Sequence, residues 1–583
     1  MLKENKYIGL RYIPKVCGEW QSTEEYEHLS VVTKDGNSYT SRKAVPVGID
    51  ISDTEYWVQT ANFNQQLATV QGVIDVARKE IETLKLKKGY KYYVTPEDFG
   101  AKGDGVTDDT QAMKDAITAT NVLLLVSGKS YLVKETLKLK SNFILDGNGS
   151  TILFAARTTN KDIDISGLEH VTIKNLVIDN EPCGGYIIGC NDSTDIYSKH
   201  IKIDGITYVG KQSGSLNRGM FLSNVEHAVI ENCYLKDETQ VSSIASELES
   251  GIILHSDHTF GTNSRNVIVK NNTINGFYQG IKSYGTGSNG TGNKQVLQIK
   301  DNVIEGSKKE AIYSYHSPGS IIDGNTINGC GLGIFSDSGN DVDLSGGTNG
   351  GRELNIVTNN NINGVTVGIY TEEARNMIMS GNHVVRATEA GIIVGGGSSY
   401  GLVTHNNLTE CYDGIVLDMD FNPNKYHICA INVVDNVVTS SKRHAIYSKK
   451  CLHAIIKNNF IKYWGLIGNP DVNFSSGIRI EGKTNIKVIE GNIFDNKVSY
   501  ASDETAGESY ACISDKLESN GYDELTISNN NMLRGTGKSV EILNKCNKRY
   551  VLYNLFVGDV SFNTGYESAY VHKGNTVLVD ANN

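Results

Sequence analysis

Apolar and polar positions alternate in a short phrase that recurs along the middle of the chain. Each copy begins with a small and an apolar residue and ends in larger or polar residues, as in Gly368-Ile369-Tyr370-Thr371-Glu372. The second and fourth positions are apolar or small, which predicts a β-strand with one face inward and one face outward. The copies begin at Gly219, Gly251, Gly280, Ala311, Gly333, Gly368, Gly391, Gly414, Ala445 and Gly477.

A second phrase, Asn followed by any residue and then an apolar residue, lies between these strands. Its copies are 22 to 38 residues apart, and self-similarity at this period indicates a solenoid. An Asn can bond its own backbone and adopt the left-handed conformation, so we expect one Asn at the same tight turn of every coil. A β-sandwich gives no reason for one turn residue to recur at one phase. These residues are Asn272, Asn302, Asn325, Asn360, Asn382, Asn406, Asn436, Asn459, Asn492 and Asn530.

The pattern therefore predicts an all-β fold, a right-handed single-stranded parallel β-helix over residues 91–500. Residues 501–583 lose the clean phase and are predicted to form a C-terminal β cap, with Asn530 in the last coil. Asp108 and Gln111 resemble a capping box that opens a short helix near 109–120. This helix would cover the open edge of the first coil, which otherwise invites pairing with another chain.

Two segments precede the repeats. Residues 1–60 are rich in aromatic residues and turn signals, which predicts a small β module. Either a compact aromatic core or a carbohydrate-binding or docking module explains this composition. Residues 61–90 predict a coiled-coil helix, because a strict seam of apolar residues repeats every three and four positions. The seam consists of Phe63, Leu67, Val70, Ile74, Ala77, Ile81 and Leu84.

Charge and cysteine usage exclude several classes. The net charge of −11 with interspersed signs argues against a nucleic-acid partner. No run of 18 apolar residues exists and the N-terminus lacks an apolar segment, so we expect no membrane span and no secretion signal. The ten Cys show no metal-ligand spacing, so we expect no metal and no cofactor. Cys330 and Cys411 occupy equivalent positions near turns, which suggests buried free thiols made in a reducing cell.

Two stretches resemble known families. Residues 94–111 resemble the entry signature of the pectate-lyase-like superfamily of β-helix proteins. Residues 7–15, 36–41 and 45–50, with Tyr56-Trp57, resemble the N-terminal attachment module of the preneck appendage (tailspike) of short-tailed phages of Gram-positive hosts.

This resemblance implies a homotrimeric spike of the virion, assembled in the host cytoplasm. Its N-terminal module would bind phage tail or connector proteins. Its β-helix would bind, and in enzymatic members cleave, a host cell-wall polysaccharide or teichoic acid.

The outward positions of the repeated strand carry the candidate chemistry. An aromatic stripe, suited to the flat faces of sugars, lies beside a carboxylate stripe that supplies acid and base. The aromatic stripe consists of Tyr284, Tyr313, Tyr315, Phe335 and Tyr370, and the carboxylate stripe consists of Asp337, Glu372 and Asp418.

Strand spacing decides which carboxylates are suited to work together. Asp337 and Glu372 on neighbouring coils, about 5 Å apart, would suit a retaining glycosidase. Glu372 and Asp418, two coils or about 10 Å apart, approach the separation of an inverting pair. We favour the inverting pair, with Gly395 leaving a gap between them for substrate or water.

Other interpretations stay open. The acidic stripe is also consistent with binding without cleavage or with a plain solvated surface, and a site between subunits is a further alternative. The stretch 255–258, with His255, Asp257 and His258, resembles a metal or acid–base cluster, but we expect a surface loop. Arg479 with Glu481 resembles one element of the polygalacturonase site, but the other elements are absent. A cell-associated polysaccharide lyase is disfavoured because the sequence shows no calcium-and-arginine pattern.

Overall fold

The computed structural model divides the chain into two compact units, Met1–Tyr92 and Tyr93–Asn583, and each is described by itself. The described residues are 14–62, 69–79, 93–155, 161–180, 185–190, 197–211, 217–239, 249–257, 264–286, 297–315, 317, 319–337, 354–372, 374, 376–396, 398–418, 430–449, 451, 453–465, 475–482, 486–495, 511–517, 524–534, 540–542, 548–557, 561–562, 570–573 and 575–578.

The first unit contains a four-stranded sheet around a small aromatic core. Its strands follow chain order in the sheet; the first pair is parallel and the other two pairs are antiparallel. Trp57 is buried against Tyr26 at the centre, with ring centroids 5.4 Å apart. The strands are Lys15–Glu19, Ser30–Lys34, Asn37–Ser41 and Trp57–Asn62.

Residues 69–79 form a helix, in which the seam positions Val70 and Ile74 are exposed. The seam positions Phe63, Leu67, Ile81 and Leu84 lie outside the described residues. A helix whose apolar seam meets water in the single chain is typical of a coiled-coil strand.

The second unit begins with a 3-10 helix, Pro96–Phe99, and an α-helix, Thr110–Ala119. The α-helix confirms the helix expected near 109–120, and it packs Met113 against the core of the first coils. The expected capping box is wrong. Asp108 instead accepts hydrogen bonds from the main chain and side chain of Thr110, at 3.1 and 2.6 Å, and Gln111 donates to Asp115 at 2.8 Å.

The rest of the second unit is a stack of parallel strands in two sheets, one of which has 33 strands and covers two faces of the coils. Its strands are Asp104–Asp108, Val122–Leu124, Ser130–Val133, Phe143–Asp146, Thr151–Phe154, Glu169–Asn180, Ser198–Gly210, Val225–Glu231, Tyr234–Asp237, Arg265–Lys270, Thr273–Asn275, Leu297–Lys300, Val303–Glu305, Ile321–Asp323, Thr326–Asn328, Asn355–Thr358, Asn361–Asn363, Met377–Ser380, His383–Val385, Gly401–Thr404, Asn407–Thr409, Ala430–Val434, Val437–Ser441, His453–Lys457, Phe460–Trp464, Ile486–Glu490, Ile493–Asp495, Glu524–Ser528, Asn531–Arg534, Lys548–Leu552, Leu555–Val557, Tyr570–Lys573 and Thr576–Leu578.

The other sheet has 16 strands and contains every copy of the repeated phrase. Each strand pairs in parallel with the equivalent strand of the next coil, which is a parallel β-helix and excludes the sandwich. Its strands are Leu137–Lys138, Lys161–Asp164, Tyr186–Gly189, Arg218–Ser223, Ser250–Asp257, Gln279–Thr286, Glu310–Tyr315, Leu332–Asp337, Val367–Glu372, Ala390–Val394, Asp413–Asp418, Ile446–Lys449, Ser476–Gly482, Ala511–Leu517, Val540–Ile542 and Ser561–Phe562.

The recurrent Asn residues form a buried ladder at one turn of the coils. In the middle of the ladder, the Asn360 side-chain amide donates to the side-chain carbonyl of Asn382 at 2.9 Å and to the main-chain carbonyl of Ile322 at 3.1 Å. The expected left-handed conformation falls on the residue just before the ladder, as at Asn359, with φ 55°. The Asn side chains of the ladder therefore serve to form hydrogen bonds with buried amide and carbonyl groups. They are not needed for a left-handed backbone conformation at their own positions.

Parallel pairing continues beyond residue 500. Asn530 bonds to Asn554, and Asn554 bonds to Asn575, so the last coil lies two coils further than expected. The described residues after 500 extend the stack as far as Thr576–Leu578.

The thiols of Cys330 and Cys411 are free and buried at equivalent turn positions. Burial raises the pKa of the Cys411 thiol to about 11, which keeps it protonated at neutral pH.

Candidate functional site

Aromatic rings lie on the outer face of the 16-stranded sheet, on successive strands. Tyr313, Phe335 and Tyr370 pair in register at the third position of the phrase. The ring centroids of Tyr313 and Phe335 are 5.1 Å apart, and those of Phe335 and Tyr370 are 5.3 Å apart. Tyr315 joins this group at 5.8 Å from Tyr313. The structure thus brings four of the five predicted aromatic residues into one continuous cluster.

Tyr284 lies at the end of this cluster and connects it to a second group of rings, which includes His255 and Phe221. The Lys282 ammonium is 4.5 Å from the Tyr284 ring centre and 5.8 Å from that of Tyr313, so a cation lies between the two tyrosines. On its other side, the Tyr284 ring centroid is 4.6 Å from that of His255.

The expectation that the stretch 255–258 forms a surface loop is wrong for its described part. His255 lies on the strand Ser250–Asp257 and is only 6% exposed. Its Nδ1 is hydrogen-bonded to the Ser223 hydroxyl at 3.1 Å. His258 lies outside the described residues.

The three predicted carboxylates lie at the same position of their strands, near the strand ends. Asp337 pairs directly with Glu372, and Asp418 lies two strands beyond Glu372 in the same column. Asp337 is only 2% exposed, whereas Glu372 and Asp418 are half-buried. The outward position is therefore not uniformly open to solvent, and Glu372 and Asp418 are the two carboxylates that remain accessible.

The expected gap at Gly395 is wrong, because the ring of Tyr370 fills it. A methyl group built on Gly395 would lie 2.7 Å from Cε2 of Tyr370 and 3.2 Å from its hydroxyl oxygen. Burial raises the pKa of the Tyr370 phenol well above its ordinary value, and the charges of Glu372, Asp418 and Asp337 raise that pKa further. A protonated phenol thus lies close to the negative charges of the three carboxylates.

A groove of about 680 Å³ opens beside this cluster. Of the predicted site residues, Tyr370 and Asp418 line it. Its lining residues are Lys308, Lys309, Glu310, Gly331, Leu332, Thr366, Val367, Tyr370, Glu389, Ala390, Ile393, Tyr412, Asp413, Val416, Asp418, Arg443, Tyr447 and Lys449.

The groove contains an ion pair that the strand pattern did not point to. Arg443 Nε donates to Asp413 Oδ1 at 2.9 Å, and Arg443 Nη2 donates to Asp413 Oδ2. The main-chain N–H of His444 also donates to Asp413 Oδ1, at 3.0 Å. Burial raises the pKa of the Asp413 carboxyl, and the Arg443 partner opposes this shift. A signal was present in the sequence, since Asp413 and His444 occupy the position just before a phrase, where most coils carry an uncharged residue.

The outer face of the 16-stranded sheet continues beyond the strand Asp413–Asp418, toward the C-terminus, with hydrogen-bonded and oppositely charged pairs. Tyr447 donates its hydroxyl to Glu481 at 3.0 Å, and the buried Arg479 lies 3.6 Å from the same carboxylate. Lys449 lies 3.5 Å from Asp418.

Among the described residues, no group of three His, Cys, Asp or Glu side chains is arranged to hold a metal ion. Within the same part of the chain, no helix is long and apolar enough to cross a membrane.

Comparisons with known families identify the hand of the fold. Residues 93–335 match the family described as rhamnogalacturonase A/epimerase, pectate lyase-like, and residues 289–426 match the family described as right-handed β-helix region. The predicted right-handed, pectate-lyase-like parallel β-helix is therefore confirmed.

Among curated proteins, the chain is similar to phage depolymerases. It is 25% identical over 187 residues to the capsule KN3-specific depolymerase 1 of Klebsiella phage KN3-1. It is 56% identical over 43 residues to the capsule K30/K69-specific depolymerase 1 of Klebsiella phage K5-2. These matches cover 29% and 7% of this chain, and 21% and 5% of the relatives. The chain thus spans only a minor part of the curated relatives that it matches.

Among solved structures, the chain is similar to the tailspike protein of E. coli bacteriophage HK620, solved in complex with a pentasaccharide. The TM-score is 0.40 and the identity is 13%, over 83% of this chain and 78% of that chain. A similarity at this level transfers no function.

Proposed function

We propose that this chain is a phage tailspike that binds and hydrolyses a glycan of the host cell surface. One observation carries the proposal: the contiguous rings of Tyr313, Phe335 and Tyr370 lead directly to the accessible carboxylates Glu372 and Asp418. Aromatic faces hold sugar rings, and paired carboxylates are the usual catalysts of glycoside hydrolysis. The similarity to phage proteins named as depolymerases supports the same class of function.

The proposed reaction is an inverting hydrolysis. Glu372 and Asp418 are two strand spacings apart, about 10 Å at the backbone, which approaches the separation of an inverting pair. One carboxyl group protonates the leaving oxygen and the other activates a water molecule. Asp337 is buried next to Glu372 and pairs with it in register.

We further infer a homotrimer, assembled through the coiled-coil segment 61–90. The exposed seam residues Val70 and Ile74 support this assembly, because an apolar seam on a lone helix needs a partner. Residues 1–60 would attach the spike to tail or connector proteins of the virion, after assembly in the host cytoplasm. The resemblance of residues 7–15, 36–41 and 45–50 supports a short-tailed phage with a Gram-positive host, and for such a host the polymer is a wall glycan or teichoic acid.

The test is a digestion of purified polymers by the wild type and a Glu372→Gln/Asp418→Asn variant. The panel comprises capsular polysaccharides of Klebsiella and walls and teichoic acids of Gram-positive bacteria. We expect the wild type to release soluble fragments with new reducing ends from one polymer, and the folded variant to release none. New phosphomonoesters in place of reducing ends would identify a teichoic acid. Equal release by both proteins would contradict the assigned carboxylates.

A non-enzymatic receptor-binding spike is the second candidate. The contact of Lys449 with Asp418 at 3.5 Å favours it, because a cation neutralises one of the two accessible carboxylates. In this case both proteins would bind the polymer equally and neither would release fragments.

A further inference from the structure

We propose that Arg443 forms a sugar-binding subsite in the groove and takes paired acceptor oxygens of one hexose unit. These oxygens belong either to the carboxylate of a hexuronate or to two neighbouring hydroxyls. The inference rests on the proposed glycan-binding function and names a residue for it, and its test does not need cleavage.

The Arg443 guanidinium is held in a fixed position. The buried Asp413 accepts from Nε and Nη2, and the same carboxylate is anchored to the main-chain N–H of His444. A bidentate pair of this kind fixes the plane of the guanidinium as well as its place. The subsite is therefore preorganised before any ligand arrives.

Two tyrosine rings flank the guanidinium. Its central carbon lies 5.0 Å from the ring centre of Tyr412 and 5.3 Å from that of Tyr447. Tyr447 is itself held by its hydrogen bond to Glu481. The three side chains present adjoining flat surfaces to the groove, which match the apolar face and polar edge of a sugar ring.

Part of the guanidinium is left for a ligand. Arginine carries five N–H donors, and Asp413 accepts from Nε and Nη2. In the described part of the chain, no other residue accepts from Arg443. The side chain is 29% exposed and lines the groove. The Nη1–Nη2 edge is therefore a second fork, shaped for two oxygen acceptors.

The subsite lies beside the reacting position rather than in it. Arg443 is bound to Asp413 at the start of the strand Asp413–Asp418, whereas Asp418 lies at the end of that strand. Five residues of strand span about 16 Å, so Arg443 would hold a sugar further along the polymer than the one that is cleaved. Its contribution is to affinity and specificity, and it takes no part in proton transfer.

The test is binding of single sugars by saturation-transfer NMR. The probes are the methyl glycosides of glucose, galactose and mannose and those of glucuronate and galacturonate. The protein is the full chain with Glu372→Gln, so that cleavage plays no part. It is compared with the same chain carrying the additional change Arg443→Lys. This change keeps the positive charge opposite Asp413 but removes the paired N–H donors of the guanidinium. Arg386→Lys is the matched control, because Arg386 is an exposed arginine that binds Asn363.

We expect at least one glycoside to bind, and Arg443→Lys to weaken it by about tenfold or more, as for loss of a charge-assisted bidentate contact. Arg386→Lys should leave binding unchanged. Preference for the hexuronates identifies a carboxylate ligand, and equal binding of neutral and acidic sugars identifies a diol.

Two results would overturn the proposal: binding of none of the five sugars, or equal binding by the Arg443→Lys protein and its parent. A second variant, Arg443→Gln with Asp413→Asn, removes both charges together and repeats the test if Arg443→Lys unfolds. Binding that depends on Arg443 in a spike that releases no fragments would refute hydrolysis while leaving the subsite intact.

Discussion

At the scale of single residues, the ring of Tyr370 decides the geometry of the candidate site. It packs on Gly395 and its phenol lies close to the charge of Glu372, so it connects the aromatic stripe to the carboxylates. A glycine at this place is required by close approach, since any side chain would meet the ring. Tyr370 therefore acts as a positioning residue for Glu372 in the proposed reaction.

Gly395→Ala tests this role. The added methyl group would overlap Tyr370, so we expect the free energy of unfolding to fall by about 1–3 kcal/mol. Displacement of Glu372 should lower kcat by about 100-fold with little change in KM. The control is Gly72→Ala in the helix 69–79, where a methyl group meets nothing within 4 Å and Ala is favoured over Gly, so no loss of stability is expected. Fragment-release kinetics together with chemical denaturation check both numbers, and an unchanged kcat would contradict the role.

His444 predicts a pH dependence of stability. Burial lowers the pKa of His444 well below its ordinary 6.5, and the positive charges of Arg443 and Arg479 lower it further. The unfolded chain then binds a proton that the folded chain does not, so stability is complete above pH 6.5 and is lost as pH falls. The Ser476 N–H donates to His444 Nδ1 at 3.1 Å, and the side-chain oxygen of an Asn is suited to accept the same bond. His444→Asn should therefore lose less stability between pH 7.5 and pH 5. Denaturation at both pH values checks this, with exposed His383→Asn as the control.

At the scale of elements, the Asn ladder holds the coils in register. Asn360 accepts from the main-chain and side-chain N–H groups of Asn325 at 3.0 and 2.9 Å, and donates to Asn382 and Ile322. These four bonds are buried. Their loss would leave buried donors and acceptors with neither a protein partner nor water to bond to.

Asn360→Ala should therefore lower the free energy of unfolding by about 3 kcal/mol or more. Asn361→Ala, at the exposed neighbouring position, should change it by less than about 0.5 kcal/mol. Urea denaturation of the two variants provides the comparison, and equal losses would show that the ladder adds nothing beyond the turn itself.

The strands and the site differ in how far the sequence predicts them. Period-two alternation and a recurrent Asn are local signals, so the strand column through Phe335, Tyr370 and Ile393 could be predicted with its register. The burial of Asp337 and the placement of Tyr370 over Gly395 depend on rotamers and on neighbouring coils, which no period encodes. The same is true of Asp413 and Arg443, which are 30 residues apart in the chain and in contact in the fold.

At the scale of the whole molecule, the proposed trimer predicts an assembly defect. Val70→Asp with Ile74→Asp places charges in the exposed seam, so we expect dissociation from three times the mass of one chain to a single chain. Val76→Asp changes an equally exposed apolar residue outside the seam and should leave the trimer intact. Light scattering measures both masses, and a trimeric seam variant would refute the coiled coil as the assembly element.

The central claim is that the β-helix cleaves a surface glycan with Glu372 and Asp418. The most direct measurement is the initial rate of fragment release from the polymer that the wild type digests. The variants are Glu372→Gln, Asp418→Asn and the control Glu238→Gln, an exposed carboxylate just after the strand Tyr234–Asp237 of the other sheet. We predict that each site variant, folded and trimeric, loses at least about 1,000-fold in rate, while the control retains the full rate. A Glu372→Gln or Asp418→Asn spike that digests the polymer at the wild-type rate would contradict the account.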